Sequence, residues 1–357
     1  MGINHLSPAE LRSKLDNKRT QDVLILGIES SCDDTSAAVL RNDEVLSNVV
    51  ATQSVHEEFG GVVPELASRA HQSNIVPVVN SALQEAGIDK NSLDAVAVTI
   101  GPGLMGSLLV GTSFAKSMVT ALDIPLIGVN HMQAHILAHF IKSETQTPPN
   151  FPFLCLTISG GHTQIVVVKD DLNMELIGTT LDDAAGEAFD KAAKLLGLGY
   201  PGGPKVDQHA KNGDATKYKF AKPRVEKANM SFSGIKSSLL YFLQKEMRQD
   251  DQFIENHLND ICASYQTSIV SYLFEKLEWA VNHTGITEVA IAGGVSANSL
   301  VRAELMDRVT SANWTVHIPE FQYCTDNAAM VGIAGYKMYL QRLFTPLGTR
   351  PLARMPF

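Results

Sequence analysis

Basic residues are in short supply. Lys and Arg number 29 against 38 Asp and Glu, a formal net charge of -9 over 357 residues. A surface that grips a polyanion everywhere is therefore excluded, and any nucleic acid must meet a local basic patch. Cysteine is scarce as well. The four, Cys32, Cys155, Cys262 and Cys324, are widely spaced and form no Cys-x-x-Cys. That argues against a disulfide framework and fits a reducing, cytoplasmic setting. No apolar run reaches about 18 residues, so no membrane span is expected. The first 21 residues lack an apolar h-region and do not read as a secretory signal. Ser7-Pro8-Ala9-Glu10 resembles a helix start, so residues 1–22 are expected to form a short helical extension. The alternative, a mitochondrial targeting segment, is opposed by Glu10 and Asp16, since acidic residues are unusual in one.

What is present is hydrophobic sequence in quantity, 45% of the chain. At this length that suggests two lobes rather than one core. The chain says the same thing twice. Val23 to Glu29 is a buried-strand pattern that leads through Ser30-Ser31-Cys32-Asp33-Asp34-Thr35-Ser36 into a second strand. Phe153 to Ile158 leads through Ser159-Gly160-Gly161-His162-Thr163 into another. Such small polar turns offer N–H groups and hydroxyls to a phosphate. A second echo follows. Asp94 to Ile100 runs into Gly101-Pro102-Gly103 and a helix, and Glu288 to Ala292 runs into Gly293-Gly294-Val295-Ser296-Ala297-Asn298 and a helix. Strand, glycine turn and helix N-terminus together suit an anion or nucleotide, although each alone is also an ordinary βα connection. Four turns in two matched pairs predict duplicated α/β lobes with a central cleft lined by all four. The first lobe is expected over 23–150, with a C-terminal helix in 327–357 returning to it. The second is expected over 151–326.

Periodicity places helices near 64–87, 104–121, 131–142, 184–197, 233–247 and 253–283. The stretch 198–238 is rich in Gly, Pro and Lys and reads as an insertion. From Lys211 to Ser238 it carries seven basic residues and two acidic ones, a local +5. Lys217, Lys219, Lys222 and Arg224 form either a docking surface for a nucleic-acid backbone or a solvated loop.

The most informative pattern is His131 and His135 in Asn-His-Met-Gln-Ala-His, with Asp326 far downstream in Tyr-Cys-Thr-Asp-Asn. Residues four apart share a helix face. Two imidazoles and a distal carboxylate form a two-His, one-carboxylate set that leaves metal positions open for substrate. The other reading is a polar helix surface with chance histidines, since His139 continues the series. A metalloprotease of the His-Glu-x-x-His kind is disfavoured, because Met132 stands where its general base belongs.

Several motifs together carry a resemblance. They are Glu29-Ser30-Ser31-Cys32-Asp33-Asp34-Thr35, Gly60-Gly61-Val62-Val63-Pro64-Glu65-Leu66-Ala67-Ser68-Arg69, Gly101-Pro102-Gly103-Leu104 and the His131/His135 helix. Ser159-Gly160-Gly161-His162-Thr163, Asp182 to Lys191, Tyr200-Pro201-Gly202-Gly203-Pro204 and Gly293 to Asn298 complete the set. From about Val23 to Leu340 the chain resembles the tRNA N6-adenosine threonylcarbamoyltransferase family, the TsaD-like bacterial and organellar type. The resemblance implies the two-lobed ATPase (ASKHA) fold shared by actin and heat-shock chaperones. It implies transfer of a threonylcarbamoyl group from threonylcarbamoyl-AMP to the exocyclic amine of the adenosine 3′ to the anticodon, forming t6A in tRNAs that read codons beginning with adenine. It also implies one Fe(2+) per subunit, with zinc able to replace it in vitro, and His131, His135 and Asp326 as ligands. The donor would contact Thr157, Ile158, Ser159, Gly160, Gly161, Asp190, Gly203, Asp207 and Asn298. The partners implied are tRNA with either an inactive paralogue (TsaB-like) and a small ATPase (TsaE-like), or a second copy of the chain in an organellar form.

That chemistry needs a polarised acyl carbonyl, two held reactants and removal of a proton. Asp33 or Asp34 could serve as base or orient the amine, or could simply bond its own turn. Asp190 could take ribose hydroxyls. Asn298 could do so, or be only a helix cap. His162 could be a further polar contact or a satisfied turn histidine. The competing class on the same fold is an ATP-binding kinase or chaperone, which holds Mg²⁺ mainly through carboxylates, phosphates and water rather than a histidine pair.

Overall fold

The computed structural model describes residues 22–357. The helix start expected at Ser7-Pro8 lies outside the described residues. The chain divides into two compact units. One gathers the described residues up to Ser54, Val62–Pro148 and Asp326–Phe357, and the other gathers Val55–Gly61 and Pro149–Thr325.

The first unit is built on a five-stranded sheet of β1 (Leu24–Glu29), β2 (Asp34–Arg41), β3 (Glu44–Thr52), β4 (Ala95–Gly101) and β5 (Leu126–Asn130) in the order β3-β2-β1-β4-β5. β1, β2 and β3 pair antiparallel, while β4 and β5 run parallel to β1. Both faces are covered, which is why the central strands read as unbroken apolar runs. Leu26, Ile28, Val96 and Val98 pack on one face with Ile75, Val78, Ala115 and Val119. These come from α1 (Pro64–Ala86) and α2 (Met105–Leu122). Pro64 opens α1 where no N–H is needed, and Gly87 ends it at φ 65 with its N–H turned back to Gln84 and Leu83 carbonyls. The other face carries α9 (Ala328–Leu340). It lies close because glycines meet there. A Cβ on Gly27 would strike the Ala328 carbonyl oxygen and come within 2.8 Å of the Gly332 nitrogen.

The C-terminal helix expected in 327–357 stops at Leu340. Arg342 turns left-handed at φ 59. Pro346, Pro351 and Pro356 then prevent a helical ladder. The tail's N–H groups go to the sheet instead, Thr345 to the Leu126 carbonyl at 2.8 Å and Leu352 to the Ile100 carbonyl at 2.8 Å.

The second unit repeats the plan. β6 (Phe153–Ile158), β7 (Thr163–Val168), β8 (Met174–Thr179), β9 (Glu288–Ala292) and β10 (Thr315–His317) stand in the order β10-β9-β6-β7-β8. β6, β7 and β8 are antiparallel, and β9 and β10 run parallel to β6. Read from the hairpin edge, the two sheets have one topology. That is the duplication the paired sequence echoes predict. Its helices are α4 (Ala185–Leu195), α5 (Gly202–Ala210), α6 (Ser233–Glu246), α7 (Phe253–Thr284) and α8 (Ser299–Ser311).

The stretch 198–238 is less of an insertion than its composition suggests. It contains α5 and the start of α6, and Val206 of α5 is fully buried in the unit's core. The irregular part is pinned. Tyr218 and Phe220 pack on Phe242, Phe253 and Tyr265. The buried Lys276 ammonium donates to the Val225 and Lys227 carbonyls at 2.5 and 2.9 Å. Among the described residues no helix is long and apolar enough to cross a membrane.

Candidate functional site

In the first unit, β5 leads directly into α3 (His131–Leu137). Asn130 at the junction caps it, its Oδ1 accepting from the Met132 and Gln133 N–H groups at 2.9 and 3.3 Å. The α-helix expected over 131–142 ends at Leu137 and gives way to a 3-10 turn, Ala138–Phe140. The seven residues suffice to put His131 and His135 on one face, with rings edge-on and centroids 4.7 Å apart. Asp326, two residues before α9, reaches both. Its Oδ1 is 3.1 Å from His135 Nε2 and 3.4 Å from His131 Nε2. The ligand atoms of the three side chains all lie within 4.8 Å of one another.

This donor set fits a divalent transition metal, with two imidazole nitrogens, one carboxylate and no thiolate. The ring positions fit as well. His131 directs Nε2 to the shared centre while its Nδ1 faces Glu29 Oε2 at 3.1 Å. Ligating histidines almost always have such an outer partner. Burial alone would expel charge from His131, but the carboxylates of Asp326 and Glu29 outweigh it and hold the imidazole well above its ordinary pKa. Burial likewise opposes ionisation of Asp326, and the two histidines overcome it and hold its carboxyl far below the usual range. A metal ion must therefore displace protons to bind.

The Asp33–Asp34 turn sits beside this cluster. His71 on α1, fully buried, donates from Nε2 to the Cys32 carbonyl at 3.0 Å and accepts the Thr35 hydroxyl at Nδ1, 2.8 Å away. Ser107 Oγ also donates to the Cys32 carbonyl, at 3.1 Å. Burial, then the negative charge of Asp326, pushes the Asp34 carboxyl up to about 7. Burial first, then Asp33, raises the Cys32 thiol well above its usual range. Its exposure to a reactive thiolate role is thereby removed.

The 101–103 turn, which with the helix N-terminus after it suits an anion, has two nearby donors engaged within the chain. Gly103 N–H donates to the Ala353 carbonyl at 3.2 Å and Leu104 N–H to the Ser31 carbonyl at 2.7 Å. The C-terminal tail and the preceding turn have taken those donors.

In the second unit the matched turns come together and stay open. A Cβ on Gly293 would lie 2.6 Å from the Ile158 carbonyl oxygen, and one on Gly186 would lie 2.6 Å from that of Ser159. The glycine turn after β9 and the N-terminus of α4 therefore pack directly on Thr157–Gly161. A Cβ on Gly160 or Gly161 would meet nothing within 4 Å. Ser159 and His162 close the turn through Ser159 N–H to the His162 carbonyl at 2.8 Å. Asp190 on α4 accepts the Gly202 N–H at 2.7 Å, which fixes the start of α5 and hence Gly203.

Asp207 on α5 and Asn298 before α8 are joined by Gln266 on α7, a residue that no sequence pattern singles out. Gln266 Nε2 donates to Asp207 Oδ1 at 3.0 Å, and its Oε1 accepts from Asn298 Nδ2 at 2.8 Å. Asn298 Oδ1 caps α8 through the Leu300 and Val301 N–H groups at 3.0 and 3.1 Å. Asn298 is thus a helix cap, with one amide hydrogen left for another partner.

The basic stretch is partly neutralised. Lys217 pairs with Asp260 at 2.7 Å and Lys222 with Glu275. Lys219 and Arg224 are exposed and carry no ion pair among the described residues.

A family model, TsaD: tRNA N6-adenosine threonylcarbamoyltransferase, matches residues 44–333. The tRNA N6-adenosine threonylcarbamoyltransferase of Christiangramia forsetii is 60% identical over 337 residues, covering 94% of this chain and 99% of that protein. Its counterpart in Riemerella anatipestifer is 55% identical over 331 residues, covering 93% and 97%. Among solved structures, T. kodakarensis HypF matches with TM-score 0.57 at 16% identity over 91% of this chain and 48% of that one. Component A of the Acidaminococcus fermentans (R)-2-hydroxyglutaryl-CoA dehydratase matches with TM-score 0.51 at 16% identity over 89% and 99%. At such identities these structures speak for the fold alone, which is the actin-like ATPase fold with duplicated units. The chain belongs to the tRNA N6-adenosine threonylcarbamoyltransferase family.

Proposed function

We propose that this chain transfers the threonylcarbamoyl group of threonylcarbamoyl-AMP to the exocyclic amine of the adenosine 3′ to the tRNA anticodon, forming t6A. Family membership over nearly the whole chain carries the reading, and the convergence of His131, His135 and Asp326 supports it.

The donor is a mixed anhydride, so AMP leaves readily. The adenine amine is a poor nucleophile because its lone pair is delocalised into the ring. In this reading the open turn Thr157–Gly161 holds the adenylate phosphate on backbone N–H groups. Asp190, Gly203, Asp207 and Asn298 receive the ribose and adenine. His131, His135 and Asp326 would hold one iron(II) per subunit, which would supply a Lewis-acid site for the donor's acyl end. The amine nitrogen attacks the carbamoyl carbon, the bond to the phosphate oxygen breaks, and the proton passes to a carboxylate. Asp34 suits that last step, since burial raises its carboxyl and makes it a better proton acceptor than an ordinary aspartate. Asp33 orients the incoming amine.

The tRNA backbone docks on 211–238, where Lys219 and Arg224 are exposed cations with no ion pair among the described residues. Val76 on α1 and Met105 and Leu109 on α2 are 51%, 43% and 48% exposed, which supports pairing of this unit with a related subunit or a second copy. The reading places the enzyme in the cytoplasm.

The test is to incubate the protein with tRNA, threonine, bicarbonate, ATP and an adenylate-forming enzyme, with and without candidate partner subunits. The tRNA is then digested and scored for t6A. His135→Ala should stay folded, bind metal more weakly and lose most of the product. Metal content and t6A formation unchanged in that variant would remove the triad from the mechanism.

A further inference from the structure

Among the described residues beside the triad, Glu29 is the carboxylate that the scheme leaves unused. It ends β1 and is fully buried. A buried carboxylate is tolerated only when its oxygens are satisfied, and here they are. Oε1 accepts the Ser31 N–H at 2.5 Å, and Oε2 accepts the Thr99 hydroxyl at 2.6 Å. Oε2 also lies 3.1 Å from His131 Nδ1.

The duplication supplies an internal control. The last residue of β1, Glu29, pairs with Ser36 of β2, and the last residue of β6, Ile158, pairs with Thr163 of β7. The fold therefore accepts an apolar side chain at this position. A charge there in the first unit answers to something the second unit lacks, and the histidine it faces is that something.

The two histidines also differ. His131 has a carboxylate behind its ring. His135 is equally buried, yet its Nδ1 has no hydrogen-bond partner among the described residues.

We propose that Glu29 is a positioning residue that makes His131 the stronger of two unequal metal ligands. By accepting from Nδ1–H it selects the tautomer whose Nε2 lone pair faces Asp326 and the metal, and it makes that nitrogen a better donor. His135, without such a partner, is the weaker of the two ligands. This rests on the metal reading of the triad.

The test uses the whole metal-free protein titrated with zinc and, anaerobically, with iron(II). Glu29→Gln preserves shape, but its amide places N–H groups where Oε2 accepts, which drives His131 toward the opposite tautomer. Metal affinity should fall by about 10- to 100-fold, with far-UV circular dichroism unchanged. The loss should vanish in a His131→Ala background and persist in a His135→Ala background. Nitrogen-15 spectra of the histidines in the zinc-loaded parent should show His131 protonated at Nδ1 and bound through Nε2. That measurement needs no variant, so misfolding of Glu29→Gln cannot shield the proposal. A His131 bound through Nδ1 overturns it, as does parental affinity in a folded Glu29→Gln protein. If the parent binds no metal through the triad, so that His135→Ala titrates like the parent, the metal reading itself fails, and the two failures are distinguishable.

Discussion

Replacing Gly27 with alanine tests how the fold holds the metal site. Gly27 lies mid-strand in β1, where no backbone angle demands glycine, so its reason is proximity. An added Cβ would meet the Ala328 carbonyl oxygen and would lie 2.8 Å from the Gly332 nitrogen and 3.1 Å from its Cα. These are backbone atoms and cannot rotate away, so α9 must retreat by roughly 1 Å to restore ordinary contact. Overpacking of this kind costs about 1–3 kcal/mol. The retreat also stretches the bond from Ala328 N–H to Ser36 Oγ, now 2.8 Å and buried. Leaving that donor unsatisfied adds about 1–3 kcal/mol. The total is about 2–6 kcal/mol, or a Tm lower by roughly 4–24 °C at about 2–4 °C per kcal/mol. Asp326 stands two residues before α9, so its carboxylate moves with the helix and metal affinity should fall too. Thermal unfolding of metal-free protein and calorimetric metal titration measure the two effects. Gly160→Ala is the stability control, since a Cβ there meets nothing within 4 Å. A Gly27→Ala protein within about 0.5 kcal/mol of the parent, with parental metal affinity, would refute the argument.

Asp34 should titrate near pH 7 in the metal-free protein, seen by carbon-13 NMR of its carboxyl and absent in Asp34→Asn. Because its folded pKa is raised above the unfolded value of about 3.9, folding favours the protonated form. The stability it contributes is complete below about pH 4 and is lost as pH rises to about 7, a decline the Asn variant should lack. Metal loading should shift the titration to lower pH, and a metal-free Asp34 that titrates near 4 would contradict the burial argument. Neutralising Lys219 and Arg224 together should flatten the salt dependence of tRNA binding by up to about 2 units, near 0.9 per phosphate contact. Neutralising Lys217 and Lys222, already paired with Asp260 and Glu275, should change it less. Equal slopes for the two double variants would mean the ion pairs open on binding.

Local pattern carried the chain far. Unbroken apolar runs of Val, Ile, Leu and Ala marked strands buried on both faces, and repetition of strand, turn, strand and glycine turn marked the duplication. The i, i+4 histidines and the glycine turns are also local, so the histidine pair of the candidate metal site and the Thr157–Gly161 turn were readable. The sequence misjudged what depends on partners remote in the chain. Composition made 198–238 look like an insertion, because nothing local shows that Tyr218 and Phe220 enter an aromatic core or that Lys276 holds the loop's carbonyls. It did not show that donors at the 101–103 turn are engaged, because nothing local shows Ala353 arriving to take the Gly103 N–H. It gave no role to Glu29, His71 or Gln266. Each of these acts across a long chain interval, 102 residues from Glu29 to His131 and 32 from Gln266 to Asn298. Strand order sets those meetings. β1 lies beside β4, and β4 beside β5, so the end of β1 faces the helix that follows β5. Periodicity states which face of an element is buried, but only the packed sheet states which side chain waits there.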